Sequence, residues 1–140
     1  MPSVIKVKTG SKYEELISYS RVVAVGDLIF VSNTAGIDYT TREISSDAGE
    51  QCEKALQNIE RALASVGATL ADVVKLVRHV PNREDGQKVG EVIGRVFKGI
   101  DPASTHVCTP LASDLYKVEL EVIAYRGVKD MPQERLKVVV

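Results

Sequence analysis

Between Ser46 and Gly67 the chain changes its hydrophobic period, and that change limits the architectures open to it. Cys52, Ala55, Leu56, Ile59, Ala62, Leu63 and Val66 recur at the spacing of one helix face, with Glu53, Lys54, Gln57, Glu60 and Arg61 between them. Asp47 followed by Glu50 has the pattern of a capping box, and Gly67 is placed to end the helix in the left-handed conformation. Such a helix must lay its apolar face on something, and the flanking segments are β-rich. Residues 22–25 and 28–31 are short β-branched and aromatic runs split by Gly26-Asp27, the pattern of a tight hairpin. Residues 73–80 form a valine-rich run stopped by Pro81-Asn82. A second helix follows, with Val89, Val92, Ile93, Val96 and Phe97 on one stripe and Gly86, Gly90 and Gly94 on another. An interior glycine costs about 1 kcal/mol against alanine, so the glycine stripe predicts a close approach to that helix backbone.

Residues 105–109 and 117–125 return to strands. In the latter, Val118, Leu120, Val122 and Ala124 point one way and Lys117, Glu119, Glu121, Ile123 and Tyr125 the other. Leu136-Lys137-Val138-Val139-Val140 is a candidate edge strand. The order strand, strand, helix, strand, helix, strand, strand predicts an α+β fold, one sheet with two helices on one face. The other face is too apolar for free solvent and too charged for a dry core. Oligomerisation through it, leaving a polar cavity, resolves the conflict. The 140 residues suit a single domain spanning 1–140, with 127–140 as a tail.

Composition narrows the partners. Lys plus Arg number 18 against 19 Asp plus Glu, and aromatic residues are 5%, so neither the basic excess nor the stacking surface of a nucleic-acid binder is present. Cys52 and Cys108 are far apart, and His79 and His106 are the only histidines, which predicts two reduced, mostly buried thiols and no metal cluster. The start of the chain lacks an apolar signal region, and no apolar run approaches the ~20 residues of a membrane span. A cytoplasmic location is expected.

Dinucleotide, phosphate-loop, nucleophile-elbow and H-E-x-x-H motifs are all missing. What remains is a small polar set near strand ends. Ser104 and His106 share one face of their strand. If the strand over 117–125 pairs beside it, Glu119 lies close by, and a carboxylate near an imidazole in a semi-enclosed cavity can move protons or orient a water. The competing reading makes His106 a packed, hydrogen-bonded histidine and Glu119 a solvated charge. Tyr19 is either a pocket hydroxyl or a packing aromatic.

Four segments resemble one known family. Gly67-Ala68-Thr69-Leu70-Ala71-Asp72-Val73-Val74-Lys75, Phe97 with Asp101-Pro102-Ala103, Lys117-Val118-Glu119-Leu120-Glu121-Val122-Ile123-Ala124 and Gly26-Asp27-Leu28-Ile29-Phe30-Val31-Ser32 are similar, in order and spacing, to signatures of the Rid proteins (YjgF/YER057c/UK114). The resemblance covers about residues 19 to 126. It implies a chorismate-mutase-like fold with one mixed sheet, assembled as a homotrimeric barrel with small-molecule clefts between subunits. It also implies hydrolysis of imines or enamines to 2-oxo acids and ammonia without a cofactor, although other members bind small acids without known turnover. Older family names suggest ribonuclease activity, which the charge balance argues against.

By the same resemblance Tyr19 matches a pocket tyrosine, Ser32 a cleft serine, and Glu119 the glutamate that holds the hydrolytic water. Ser104 stands where the deaminases have an arginine that grips the substrate carboxylate. Losing that charge-assisted fork costs about 2–4 kcal/mol, or about 30- to 1,000-fold in binding. Asn33 replaces a glycine, Gly90 an asparagine, and His106 a small residue or cysteine. Thr105, between Ser104 and His106, joins them as a candidate substrate contact. Two readings result: a hydrolase for a non-standard imine with Glu119, Tyr19 and His106 in its site, or a non-catalytic metabolite-binding protein.

Overall fold

In the computed structural model, which describes residues 3–140, the Gly26-Asp27 hairpin joins β2 (Val22–Val25) to β3 (Leu28–Ala35). Val25 faces Leu28 across the turn, and Gly26 takes a φ of +58° that suits glycine. Before them come two elements that the sequence pattern does not announce, β1 (Val4–Val7) and the short helix α1 (Lys12–Leu16). β1 is a largely exposed edge strand, so no alternation of burial marks it. The remaining elements are α2 (Ala48–Ala64), β4 (Val73–His79), α3 (Gly86–Val96), β5 (Ala103–Val107) and β6 (Glu119–Tyr125).

The six strands form one mixed sheet in the order β1-β2-β3-β6-β4-β5. The last strand in sequence is thus inserted at the centre, antiparallel to both β3 and β4, while β4 and β5 run parallel. The connection from β4 through α3 to β5 is a strand–helix–strand unit, which parallel neighbours require. The α+β assignment holds, with α2 and α3 packed together over one face. Between helices and sheet lies a continuous core that includes Val22, Ile29, Val31, Leu56, Ile59, Leu63, Leu76, Val89, Leu120 and Val122. Among the described residues no helix is long and apolar enough to cross a membrane.

Polar contacts set the ends of α2. Asp47 Oδ2 accepts from the Glu50 N–H at 2.9 Å, but Glu50 does not return the bond; its carboxylate accepts from the Ser45 hydroxyl. At the other end Gly67 has φ +75°, and the Ala68 N–H bonds back to the Leu63 carbonyl. Cys52 is fully buried, and burial pushes its thiol up to about 12. Cys108, expected to be buried, is instead exposed, with its thiol donating to the Pro81 carbonyl at 3.4 Å.

Two further expectations need correction. The glycine stripe of α3 is not closely approached along its length: a Cβ on Gly86 would come 3.4 Å from His106, one on Gly90 would lie 3.9 Å from Arg78, and one on Gly94 would meet nothing. The demanding position is Gly36, where a Cβ would sit 2.0 Å from the Gln51 carbonyl oxygen, so β3 can leave the sheet against α2 only at a glycine. The tail forms no strand. After a single 3₁₀ turn at Val128–Asp130, residues 132–140 are exposed and pair with neither edge, β1 or β5.

Candidate functional site

A cleft of about 760 Å³ opens beside the start of β6, and Tyr19, Ser32, Asn33 and Glu119 all line it. Its organising residue is Arg21, which is 6% exposed. One guanidinium nitrogen, Nη1, donates to the Asn33 carbonyl at 2.7 Å and to Thr34 Oγ1 at 3.3 Å; the other, Nη2, donates to the Tyr19 hydroxyl at 3.3 Å. Arg21 Nε lies 3.7 Å from Glu14 Oε2, and that buried carboxylate also accepts from the Thr9 N–H and hydroxyl. A buried ion pair of this kind repays its desolvation only when hydrogen bonds hold both ions, as they do here. Because Arg21 fills one lone pair of the tyrosine oxygen, Tyr19 is disposed to donate its own proton into the cleft.

Ser32 donates to the Ser20 carbonyl at 2.7 Å, tying β3 to the segment that carries Tyr19. The side-chain oxygen of Asn33 is buried without a hydrogen-bond partner. Glu119 is half-buried, and burial pushes its carboxyl above the usual carboxylate range; His79 and Arg21 pull weakly the other way. His79 is directly across from Glu119 in the β4–β6 ladder, and its Nδ1 is buried without a partner. The arrangement can hold a water or a small electrophile between a basic carboxylate and an oriented phenol, with His79 on the strand beside the carboxylate.

The remaining sequence candidates lie elsewhere in the chain. β5 does not pair with β6, because β4 separates them. Ser104 is opposite Leu76 and His106 opposite Arg78, and these β4 residues face Val122 and Leu120. Directly paired residues share a face, so Ser104 and His106 do share one face as expected, but it is the helix side, while Glu119 lies on the opposite side. The direct His106–Glu119 partnership is therefore corrected within one chain, and His79 holds that position. Thr105 is on the outer face, its hydroxyl accepting from Lys75 Nζ at 2.7 Å. Gly90 sits on α3 over Arg78.

The model of the endoribonuclease L-PSP family matches residues 9–126. The chain belongs to this family, known also as YjgF/Rid. A RutC family protein of Pyrococcus abyssi is 36% identical over 77% of this chain and 86% of its own length. A 2-iminobutanoate/2-iminopropanoate deaminase of Dermatophagoides farinae is 26% identical over 75% of this chain and 83% of its own. Among solved structures, a Mycobacterium tuberculosis member of the YjgF/YER057c/UK114 family superposes with a TM-score of 0.80 at 37% identity, covering 88% of this chain and 99% of that one.

The family match begins at Thr9, upstream of the stretch from about residue 19 whose resemblance is read from sequence, and so takes in Glu14 as well as Arg21. In this YjgF/Rid chain the unforeseen cleft residues include Arg21, Tyr39, Arg42 and Tyr116, and His79 is the unforeseen neighbour of Glu119 in the sheet. His79 was legible in principle: alternation along residues 73–79 puts it on the polar face with Lys75. Arg21 carried a weaker signal, a charged residue two positions from Tyr19 in an extended segment. Tyr39 and Arg42 sit on an irregular loop with no periodicity to read.

Proposed function

We propose that this chain is a hydrolase of the imine/enamine deaminase type, acting on a small organic metabolite in the cleft, and that it works as a homotrimer. The carrying observation is Glu119: a half-buried carboxylate, disfavoured as an ion by burial, in a cavity that also presents the Tyr19 hydroxyl. Glu119 would take a proton from water as the water oxygen bonds to the C=N carbon, and the C=N electron pair would move to nitrogen, which is protonated by Tyr19 or solvent. Glu119 would then return its proton to nitrogen as the C–N bond breaks, while the hydroxyl proton passes to the Tyr19 oxygen or to solvent, whichever supplied the first proton, giving a carbonyl and ammonia. No redox partner is needed, and a carboxylate poised above its ordinary pKa suits both halves of the step.

The trimer is supported by the outer face of the sheet. Val25, Leu28, Phe30 and Tyr125 are exposed there on adjoining strands, Phe30 to 42%. Apolar side chains gathered on one face favour burial against another copy. The free β5 edge, with Ser104, Thr105 and His106, and the neighbouring Gly90 of α3 would then be available to complete a cleft of the next subunit, where His106 would contribute a cation or a proton. The likeness to the Dermatophagoides deaminase adds weight to the reaction class.

The test is decay of imines generated in situ, followed as 2-oxo acid or carbonyl product. Glu119→Gln should slow turnover about 10²- to 10⁴-fold. Equal rates for wild type and variant across a broad imine panel would end this reading. Ser104 favours a second one, a non-catalytic binding protein, since its neutral hydroxyl occupies the family's arginine position. Ligand-dependent thermal stabilisation without product formation would select it.

A further inference from the structure

The chain is poor in aromatic residues, yet they are not spread evenly. Four of its five tyrosines, Tyr13, Tyr19, Tyr39 and Tyr116, line the cleft beside the start of β6, although only fifteen of the 140 residues do so. They come from three separate segments: α1 and the turn after it, the loop after β3, and the approach to β6. Ile17 and Ile37 line the cleft with them. Its volume of about 760 Å³ is that of pockets enclosing drug-sized molecules, and a four-carbon imine would leave most of it unfilled.

The fold fixes these rings from different sides. Ser18 takes φ +59° after α1, and the Tyr19 N–H donates to the Glu14 carbonyl at 3.0 Å. Arg21 donates to the Tyr19 hydroxyl, and its guanidinium carbon lies 5.6 Å from the centre of the ring. On either side of Tyr39, the Ile37 carbonyl accepts from buried Asn58, and the Asp38 carboxylate accepts from the Thr40 and Thr41 N–H groups. Tyr116 lies between the Leu115 carbonyl and the Lys117 N–H, both bound by the buried side chain of Gln51. Only Tyr13 of the four is exposed. Walls positioned before a ligand arrives lower the ordering cost of binding. Tyr39 is informative on its own. Its hydroxyl makes no hydrogen bond among the described residues, and burial pushes its pKa up, so what it offers the cleft is a neutral ring.

We propose that the cleft is an aryl-binding site, with an aromatic ring of the substrate among Tyr13, Tyr39 and Tyr116 while the carbon under attack lies at Glu119. This rests on the hydrolase reading above and deepens it: the substrate is an imine or enamine that carries an aryl group. Tyrosine rings suit an arene because the negative face of one ring meets the positive edge of another, a gain beyond the area buried. Aliphatic walls would accept cyclohexyl and phenyl groups alike, whereas aromatic walls favour phenyl. The preference needs no charge on the ligand.

The experiment is calorimetric titration of three neutral ketones, phenylacetone, cyclohexylacetone and butanone, into wild type, Tyr39→Leu, Tyr39→Phe and Tyr116→Leu. Phenylacetone should bind wild type about 2- to 10-fold more tightly than cyclohexylacetone, and both should outbind butanone. The phenyl-over-cyclohexyl preference should fall about 2-fold or more in Tyr39→Leu and in Tyr116→Leu, and survive in Tyr39→Phe. This ratio is read within one protein, so a loss of stability in a variant cancels. Equal affinity of wild type for the two rings, a preference undiminished in either leucine variant, or one lost in Tyr39→Phe overturns the aryl site. Aryl preference in a protein that hydrolyses no imine leaves the aryl site standing and removes the hydrolase reading. Hydrolysis of aryl and alkyl imines at equal kcat/KM, with no ring preference in binding, does the reverse.

Discussion

The two faces of β6 differ by one residue of register and by everything else. Leu120, Val122 and Ala124 are at most 2% exposed beneath the helices, whereas Glu119, Glu121, Ile123 and Tyr125 look out from the sheet, half-buried or exposed. The inner face is complete in one chain: its partners are the core residues of α2, α3 and neighbouring strands. The outer face holds the cleft carboxylate at one end and uncovered apolar side chains at the other. Stability is thus concentrated on one side of the strand and the candidate site on the other, which lets either be perturbed with limited effect on its neighbour.

The sharpest way to break that division is Leu120→Ala. Removing a fully buried leucine should cost about 2–5 kcal/mol in denaturant unfolding, since the lost transfer energy adds to that of the cavity left behind. Affinity for cleft ligands should hold under conditions where the variant is folded. A cost below about 1 kcal/mol would mean that the inner face does not carry the fold. A smaller effect should come from Gln51, whose buried side chain joins the helix layer to the cleft side. It donates to the carbonyls of Ser45 and Leu115 and accepts from the Lys117 N–H at 2.8 Å. Gln51→Leu keeps the volume but strands these groups, for about 1–3 kcal/mol. It should also loosen the segment carrying Tyr116, seen as faster amide exchange at Lys117. Unchanged exchange there would show that Gln51 acts only as packing.

The comparison also explains what could be read from sequence. α2, its Asp47 cap, the Gly67 stop and the alternation of β6 were all legible because each is a periodic pattern tied to burial on a single face. The strand order was not read correctly, although the rule for it was available. A strand, a helix and a strand spanning Val73–His79, Gly86–Val96 and Ala103–Val107 form a βαβ unit, and such units make parallel neighbours. Applying it leaves β6 to pair on the other side of β4, which brings His79 rather than His106 opposite Glu119. Arg21 is a harder case. Its contacts depend on which carbonyls and acids the chain brings near it from other segments, and no local spacing encodes that.

The smallest effect concerns Glu119 alone, through stability rather than rate. Burial raises its folded pKa above that of the unfolded chain, so the native state binds the proton more tightly. Below the unfolded carboxylate pKa both states are protonated, and ionisation carries no penalty. As pH climbs through the ordinary carboxylate range the unfolded chain ionises first, the native state holds more protons, and stability declines until the folded pKa is passed. Glutamine has no such ionisation. Glu119→Gln should therefore match wild type near pH 3 and become relatively more stable as pH rises, with the difference levelling off once Glu119 is ionised in the native state. Activity should move in the opposite sense over the same interval, because the base must be ionised to accept the proton of water. Unfolding free energies of both proteins, measured against pH beside the rate profile of wild type, check this directly. Agreement between the pH at which the stability difference levels off and the midpoint of the rate profile would assign stability loss and catalytic gain to one carboxylate. A flat stability difference would place Glu119 in open solvent and dissolve the contrast between the two sides of β6 at its most important residue.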